Sequence, residues 1–230
     1  FGSPIYSSRV LSYLLSSKHS VKAVVTQDIK KDNKKRALKT PVGIFSEENK
    51  LHTLYPINLD SSDFIAELIS LNADIFLIYA YGKILPTDII NIPKFGVINL
   101  HCSLLPRWRG AAPIQRALLN RDSMTGITFF KIDEHLDTGN ILASYEYLIK
   151  EEDDSLSLQE KLTDLAIENI EDILESNLND KILTPQNNSL ATYATKLSKD
   201  ESIINWNEDA ETIIAKVRAF AGWPGVQAEL

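Results

Sequence analysis

The chain has 230 residues, 44% of them hydrophobic and 24% charged, and its formal net charge is −7. This composition is typical of a globular protein, and a chain of this length buries a core large enough to need no disulfide or metal. A single cysteine, Cys102, excludes an internal disulfide, and no apolar run approaches the roughly 20 residues of a membrane helix. Since the first residues also lack a signal-peptide pattern, we expect a cytoplasmic protein that associates with no membrane.

Strand and helix patterns alternate along the first 178 residues, which predicts an α/β fold with a mainly parallel sheet flanked by helices. The predicted elements are, in chain order, a helix beginning at Pro4, a strand over residues 21–26, a basic loop, a helix opening near Ser61 or Ser62, strands over 75–79 and 97–101, a helix over 113–119, strands over 126–131 and 141–149, and a helix over 156–178. The run at 75–79 is continuously apolar, as expected of a central strand that is covered on both faces.

Positive charge is concentrated in the loop that follows the first predicted strand. Only Asp32 offsets the basic side chains of this loop, which are Lys30, Lys31, Lys34, Lys35, Arg36 and Lys39. Acidic side chains collect later, in residues 151–154 and 160–180. Because contacts with phosphate need local positive charge, this basic segment (residues 30–39) is the part of the chain suited to nucleic acid.

The character of the chain changes after residue 178. Residues 185–189 form a polar connector, a helix is predicted over residues 210–220, and no capping element is evident after it. We therefore expect one domain over residues 1–178 and a linker with the start of a second domain over residues 179–230. Both ends are expected to be truncated, since at most Phe1 remains of a first strand.

Asn99 and His101 lie two residues apart at the end of a predicted strand, so their side chains share one face. Ligands of open α/β sheets bind beyond the carboxyl ends of the strands, where this pair is expected. An amide donor beside an imidazole can stabilise a developing oxyanion and manage a proton. The alternative is structural: Asn99 ends the strand by bonding to loop backbone, and His101 is a partly buried ring with satisfied polar atoms.

The segment after His101 favours the functional interpretation. Residues 103–110 combine a proline, two arginines and a tryptophan with no obvious core to join, and loops at strand ends often carry function. Asp137 follows in an Asp-Thr-Gly turn between two strands. There it can accept a hydrogen bond from a histidine N–H and fix the ring, or it can simply bond its own backbone.

Other chemistries find less support in the sequence. Cys102 follows His101 directly, so its thiol should point to the opposite face, which argues against a nucleophilic Cys–His pair. His101, His135 and Asp137 lack the spacing of a zinc site, and the chain has no glycine-rich phosphate-binding loop.

Taken together, Asn99-Leu100-His101, the Ser-Leu-Leu-Pro of residues 103–106, Arg109-Gly110 and Asp137-Thr138-Gly139 resemble the folate-dependent formyltransferase family. The resemblance covers nearly the whole chain and implies a Rossmann-like formyltransferase domain, followed beyond residue 230 by a β-barrel domain. It also implies catalysis by Asn99, His101 and Asp137 without a metal, with 10-formyltetrahydrofolate as the formyl donor. The residues that it implies for folate binding belong to two loops and are Tyr81, Gly82, Ile84, Leu85, Ser103, Leu104, Leu105 and Pro106.

Further motifs resemble the branch of the family that formylates initiator methionyl-tRNA for translation initiation. They are the segment 109–117 after the histidine and the later segments 192–197, 204–206 and 218–225. The basic segment is similar, by position and charge, to a family loop that enters the acceptor arm of tRNA. The resemblance thus implies that the partners are the folate and the tRNA, and we expect a monomer.

Two alternatives stay open. One is the same chemistry on another acceptor, such as glycinamide ribonucleotide, an amino sugar or water. The other is a non-catalytic module that binds a folate or a nucleotide. A small acceptor has no use for a long cationic loop, and a binding module has no need of an oxyanion site.

Overall fold

The computed structural model describes residues 1–27, 30–31, 37–178 and 183–228. The α-helices of this part of the chain are α1 (Ile5–Ser16), α2 (Pro41–Glu48), α3 (Ser62–Ser70), α4 (Thr87–Ile90), α5 (Pro113–Leu119), α6 (Ser155–Leu178) and α7 (Ala210–Ala219). Two short 3-10 helices lie at Asn188–Leu190 and Asp200–Ser202. Within the described ranges, no helix has both the length and the apolar character needed to cross a membrane.

Most strands of the described residues are short, and the long ones lie beside the candidate site. They are β1 (Val24–Val25), β2 (Lys30–Lys31), β3 (Ala37–Leu38), β4 (Thr53–Leu54), β5 (Phe76–Ile78), β6 (Val97–His101), β7 (Arg109–Gly110), β8 (Met124–Lys131), β9 (Ile141–Leu148), β10 (Tyr193–Ala194), β11 (Ile203–Ile204) and β12 (Gln227–Ala228).

The main sheet continues across several of these strands. β5, β6, β8 and β9 are adjacent in that order, with β5 parallel to β6 and the next two pairs antiparallel. Phe1 and Gly2 connect β5 to the parallel pair of β1 and β4: Gly2 donates to the Val25 carbonyl (3.0 Å), and Tyr79 donates to that of Phe1 (2.9 Å). The predicted α/β fold with a mainly parallel sheet is confirmed, and β8 and β9 extend it in the antiparallel sense.

Helices pack on both faces of the sheet because successive side chains of its strands point in opposite directions. On one face, Ile98 and Leu100 of β6 pack in a cluster with α6. On the other face, Val97 of β6 packs with α3. The side chains of α6 that recur at helical spacing are fully buried, and they are Leu158, Leu162, Ala166 and Ile170. Each buried leucine or isoleucine of this kind contributes about 1.5–3 kcal/mol.

Several predicted boundaries agree with the structure. β6 and α5 have the predicted limits, and α3 begins where expected, because the Ser61 hydroxyl caps it by accepting from the Phe64 N–H (3.2 Å). The strand predicted over residues 21–26 is reduced to β1, and the short helices α2 and α4 were not predicted. The apolar residues of α2 and α4 do not recur over enough turns to show a periodic pattern.

A cavity of about 380 Å³ lies near the amino-terminal ends of β1 and β5, lined by residues such as Val21, Ala23 and Ile75. None of the candidate catalytic or folate-binding residues lines it. The cavity lies at the edge of the sheet opposite to the one where β6 ends in His101, so it is not the candidate site.

Candidate active site

β6 brings Asn99 and His101 to the carboxyl edge of the sheet on one face. Asn99 pairs with Ile78 of β5 and with Phe130 of β8, in the middle of the sheet. Cys102 lies on the opposite face in the cluster around α6, as predicted, and burial raises the pKa of its thiol. Cys102 is therefore a core residue.

The His101 ring is oriented by a backbone carbonyl. The ring is 6% exposed, and its Nε2 lies 2.8 Å from the carbonyl oxygen of Trp108. Because a carbonyl can only accept, Nε2 carries the hydrogen and Nδ1 is the basic atom of the neutral ring. Nδ1 lies 3.7 Å from Oδ2 of Asp137. The direct hydrogen bond considered for Asp137 is thus not formed, and the two groups stand at ion-pair distance.

Trp108 presents its carbonyl from an unusual backbone conformation, with φ of 62°. Its N–H donates to the Thr192 hydroxyl (2.9 Å), and its indole N–H donates to Asp122 (2.8 Å). The Arg107 guanidinium lies over the indole ring at 4.6 Å and forms two hydrogen bonds with Asp122. The contacts of Trp108 therefore hold in place the carbonyl that orients His101.

Asp137 also has left-handed backbone, with φ of 52°, and its side chain is 13% exposed. Its Oδ2 accepts from the Gly110 N–H at 2.8 Å. The turn returns closely to the sheet at Gly139, where an added Cβ would lie 1.7 Å from the carbonyl oxygen of Lys131. Only glycine fits there, and this tight turn directs the Asp137 carboxylate towards His101.

The Asn99 side chain is half-buried, and its amide makes no hydrogen bond with any residue that the structure describes. Its amide group is therefore available to a ligand. The structure brings His101 and Asp137 together, and Asn99 lies two residues before His101 on the same face of β6. Their catalytic role stays a prediction.

A polar network that the sequence did not predict supports this arrangement. The Arg109 side chain, 2% exposed, donates to Gln186 from Nε (3.0 Å) and Nη2 (2.7 Å). Gln186 in turn donates to the carbonyls of Asp137 (2.9 Å) and Gly139 (2.8 Å). The sequence showed Gln186 only as part of a polar connector, and a contact across 77 residues has no local pattern.

The residues predicted to bind folate lie in loops that follow β5 and β6. The side chains of Tyr81, Leu85, Ser103 and Leu105 are buried, so a ligand can reach these four positions mainly through backbone atoms. Ile84 is 82% exposed. The other three, Gly82, Leu104 and Pro106, are exposed or half-buried.

The Tyr81 hydroxyl is buried without a hydrogen-bond partner among the described residues. Burial raises the pKa of Tyr81 to about 12, so the group stays a neutral donor. A buried polar group without a partner is uncommon.

Half of the basic segment, residues 32–36, lies outside the described residues, and with it Lys34, Lys35 and Arg36. Lys30 and Lys31 form strand β2, which pairs with β3. Lys39 makes an ion pair with Glu47 of α2, so its charge is partly compensated.

Among the residues that the structure describes, no group of three or more histidine, cysteine, aspartate or glutamate side chains is placed to hold a metal ion. Of the three residues weighed for zinc, His101 and Asp137 come together, whereas His135 lies on the exposed part of the turn.

The fold and this arrangement define the class: an α/β enzyme with an amide, an imidazole and a carboxylate at the carboxyl edge of its sheet. The pattern of the formyl transferase family matches residues 1–174, and that of the formyl transferase C-terminal domain matches residues 196–230. The chain belongs to the formyl transferase family and is a formyl-transferring enzyme, which confirms the resemblance found in the sequence.

Individual relatives agree with this assignment. The chain is 40% identical over 225 residues to the methionyl-tRNA formyltransferase of Legionella pneumophila strain Corby, covering 97% of this chain and 72% of that protein. A sugar N-formyltransferase from Shewanella shares the fold, with a TM-score of 0.72 at 19% identity over 98% of this chain and 87% of that one. HypX from Aquifex aeolicus, solved with tetrahydrofolic acid, has a TM-score of 0.68 at 17% identity over 90% of this chain and 36% of its own.

Proposed function

We propose that this enzyme transfers a formyl group from 10-formyltetrahydrofolate to the α-amine of initiator methionyl-tRNA, for translation initiation. The observation that carries the proposal is the placement of His101 Nδ1 at 3.7 Å from the Asp137 carboxylate, with Asn99 two residues away on the same face of β6. These groups suit an acyl transfer, in which an oxyanion and a mobile proton must both be accommodated.

The choice of acceptor rests on two observations. Identity of 40% to a methionyl-tRNA formyltransferase extends over 97% of the chain, whereas the sugar N-formyltransferase from Shewanella shares only the fold. The basic segment adds a second argument, because a long cationic loop suits the phosphates of tRNA and serves no purpose for a small amine.

For the donor, the loops after β5 and β6 offer apolar surface together with polar backbone. Ile84 and Pro106 are accessible enough to contact a planar ring, and the exposed backbone of Gly82 lies in the same loop as Ile84. HypX, solved with tetrahydrofolic acid, has the same fold. These features fit a folate and support 10-formyltetrahydrofolate as the donor.

In the proposed reaction the neutral amine attacks the formyl carbon, and negative charge develops on the formyl oxygen. The Asn99 amide donates a hydrogen bond to that oxygen, which lowers the barrier because the donor is already in place. Holding both substrates side by side makes the step effectively intramolecular.

The ring of His101 then moves the proton. Nδ1 accepts it from the attacking amine, and the Asp137 carboxylate stabilises the imidazolium that forms. The C–N10 bond breaks as the tetrahedral intermediate collapses, and Nδ1 returns the proton to N10. The Trp108 carbonyl keeps Nε2–H occupied throughout, so the ring does not change its tautomer.

Further parts of the proposal concern the surroundings of the site. The basic segment binds phosphates of the acceptor arm, which positions the tRNA without reading its sequence. We place the enzyme in the cytoplasm as a monomer. Residues 1–178 form the catalytic domain, and residues 179–230 form the linker and the start of a second domain.

The proposal is tested by acceptor competition. Labelled 10-formyltetrahydrofolate is offered with methionyl initiator tRNA, glycinamide ribonucleotide or an amino sugar nucleotide, and kcat/KM is measured for each. We expect the charged tRNA to be preferred, and uncharged tRNA serves as the control. Preference for a small amine would show that the acceptor is that amine and not the tRNA. Failure to use the folate with any acceptor would refute the proposed donor.

A further inference from the structure

Gln186 connects the segment that follows α6 to the turn that carries Asp137. Its Nε2 donates to the carbonyls of Asp137 (2.9 Å) and Gly139 (2.8 Å). Its Oε1 accepts from Nε (3.0 Å) and Nη2 (2.7 Å) of Arg109. Both N–H groups and both lone pairs of the amide are thus used, and the orientation is fixed, because a guanidinium cannot accept and a carbonyl cannot donate.

Arg109 holds Gln186 rigidly from the other side. The guanidinium is almost completely buried, and no carboxylate lies within ion-pair distance of it among the described residues. A buried charge without an ion pair depends on its hydrogen bonds, and here these come from Gln186 and from Asn188 (2.8 Å). The backbone of Arg109 is fixed as well, because β7 pairs with β10.

The turn of Asp137 needs such support. Residues 133–136, which precede it, are exposed, and Asp137 has left-handed backbone. The Gly110 N–H holds the carboxylate itself, and within the turn the His135 N–H and the Thr138 hydroxyl donate to Asp133. None of these three contacts connects the backbone of Asp137 to another part of the domain. The two hydrogen bonds from Gln186 hold the backbone of the turn on either side of Thr138.

We propose that Gln186 is a positioning residue for formyl transfer: it holds the Asp137 turn against Arg109 and so keeps the carboxylate at its distance from His101 Nδ1. This role rests on the proposed function, and it is assigned by the four hydrogen bonds of one amide. Gln186 does not touch the reacting atoms. Its effect on the rate passes through Asp137.

The sharpest variant is Gln186→Glu. It keeps the length of the side chain and the acceptor for Arg109, but it replaces the donor to Asp137 and Gly139 with an oxygen that faces their carbonyls. The turn is expected to shift, and a displacement of about 1 Å at a catalytic group can cost about 10²-fold in rate. We expect kcat to fall by about this factor, with the KM for the folate and the melting temperature changed little.

Asn188→Ala is the matched control. It removes one hydrogen bond from the same guanidinium and leaves the hydrogen bonds between Gln186 and the turn intact. Its kcat should fall much less than that of Gln186→Glu, because both hydrogen bonds from Gln186 to the turn remain. If Gln186→Glu does not fold, the nearly isosteric Gln186→Met takes its place in the same measurements.

A double-mutant cycle with Asp137→Asn separates positioning from a general structural role. If Gln186 acts through the carboxylate, Gln186→Glu should cost little more once Asp137 is already Asn. An equal decrease in both backgrounds, or no decrease in the single variant, overturns the proposal. Formyl transfer by the wild-type protein is measured first, so that failure of the proposed function is recognised separately.

Discussion

Two residues of the site have left-handed backbone although neither is glycine. Trp108 has φ of 62° and Asp137 has φ of 52°. Such conformations cost about 1–3 kcal/mol and persist only where surrounding contacts fix them. In this protein Thr192 and Asp122 hold Trp108, and Gln186 holds Asp137. The strain directs one carbonyl and one carboxylate at the His101 ring.

Asn99→Ala tests the oxyanion donor. The amide has no structural hydrogen bond with the described residues, so its removal should leave folding intact. We expect kcat to fall by about 10²–10³-fold, the usual effect of removing one such donor. Single-turnover rates measure the decrease, and calorimetry with a stable folate analogue measures binding. A rate within a few-fold of wild type would remove Asn99 from the mechanism.

Gly110→Ala tests the close contact between β7 and β10, which positions the Gly110 N–H that donates to Asp137. An added Cβ would lie 2.7 Å from the carbonyl oxygen of Ala194, and φ at Gly110 is 122°. We expect lower stability and a lower kcat, because β7 must move away from β10. Gly225→Ala is the control: its φ is 79°, but nothing lies within 4 Å of the added Cβ. Both variants place alanine at a positive φ, so a difference between them in melting temperature and kcat measures the effect of the clash with Ala194. Equal effects would show that the clash contributes nothing.

At the scale of elements, the sequence predicts what local periodicity determines. The boundaries of β6 follow from a short apolar run before the polar loop, and α5 begins at Pro113, a favourable first helical residue. α6 was predicted within one residue, because apolar residues recur along it at helical spacing. Among the site residues, Asn99 and His101 could be predicted from their spacing at the end of a strand, whereas Asp137 could be assigned only from the family motif.

Contacts between distant segments could not be predicted in this way. Every residue has a carbonyl, so nothing in the sequence marks that of Trp108 as the partner of His101. Likewise, β10 pairs with β7 although they lie far apart in the sequence, and each strand has only two residues. The role of Gln186 depends on this pairing, which brings the segment after α6 to the site.

Arg107, in the loop between β6 and β7, forms a partly buried ion pair with Asp122, which lies between α5 and β8, and this pair should affect stability at low pH. Burial of Asp122 opposes its ionisation, but hydrogen bonds from Arg107, Trp108 and Asn120 outweigh this, so its pKa lies below the ordinary 3.8. A lowered pKa stabilises the folded state above the unfolded value, and this contribution disappears as the pH falls through the folded value. The affected range therefore lies below about pH 4.

Asp122→Asn should make the free energy of unfolding less dependent on pH in that range. We expect the variant to be less stable than the wild type at about pH 7 and the two to converge towards about pH 2. Urea denaturation across this range measures the difference, with Asp60→Asn, at an exposed position, as the control. A constant difference across the range would show that Asp122 contributes no charge-dependent stability.

For the whole molecule, the uneven charge predicts how tRNA binding depends on salt. The net charge is −7 and positive charge is concentrated in the basic segment, so we expect the attraction to come from there. Replacing Lys34, Lys35 and Arg36 by alanine should reduce the slope of log affinity against log salt by about 0.9 for each phosphate that is no longer neutralised. Lys39→Ala is the control and should change the slope less, because Lys39 is paired with Glu47. An unchanged slope in the triple variant would place tRNA binding elsewhere.

The division of the chain after residue 178 stays a prediction, but the structure gives the following segment a role in the first domain. Thr184 pairs with Ile141 of β9, and residues 186–194 contact the site through Arg109, Trp108 and Gly110. Residues 184–194 thus contribute to the framework of the site.

The central claim is that His101 and Asp137 act as one catalytic unit in formyl transfer. It is tested most directly by the single-turnover rate of transfer to methionyl-tRNA for His101→Ala, Asp137→Asn and the double variant, at saturating folate. We expect each single variant to be slower by at least about 10²-fold, and the double variant to be little slower than the worse single one. Near-normal rates in either single variant, or decreases that multiply in the double variant, would contradict the account.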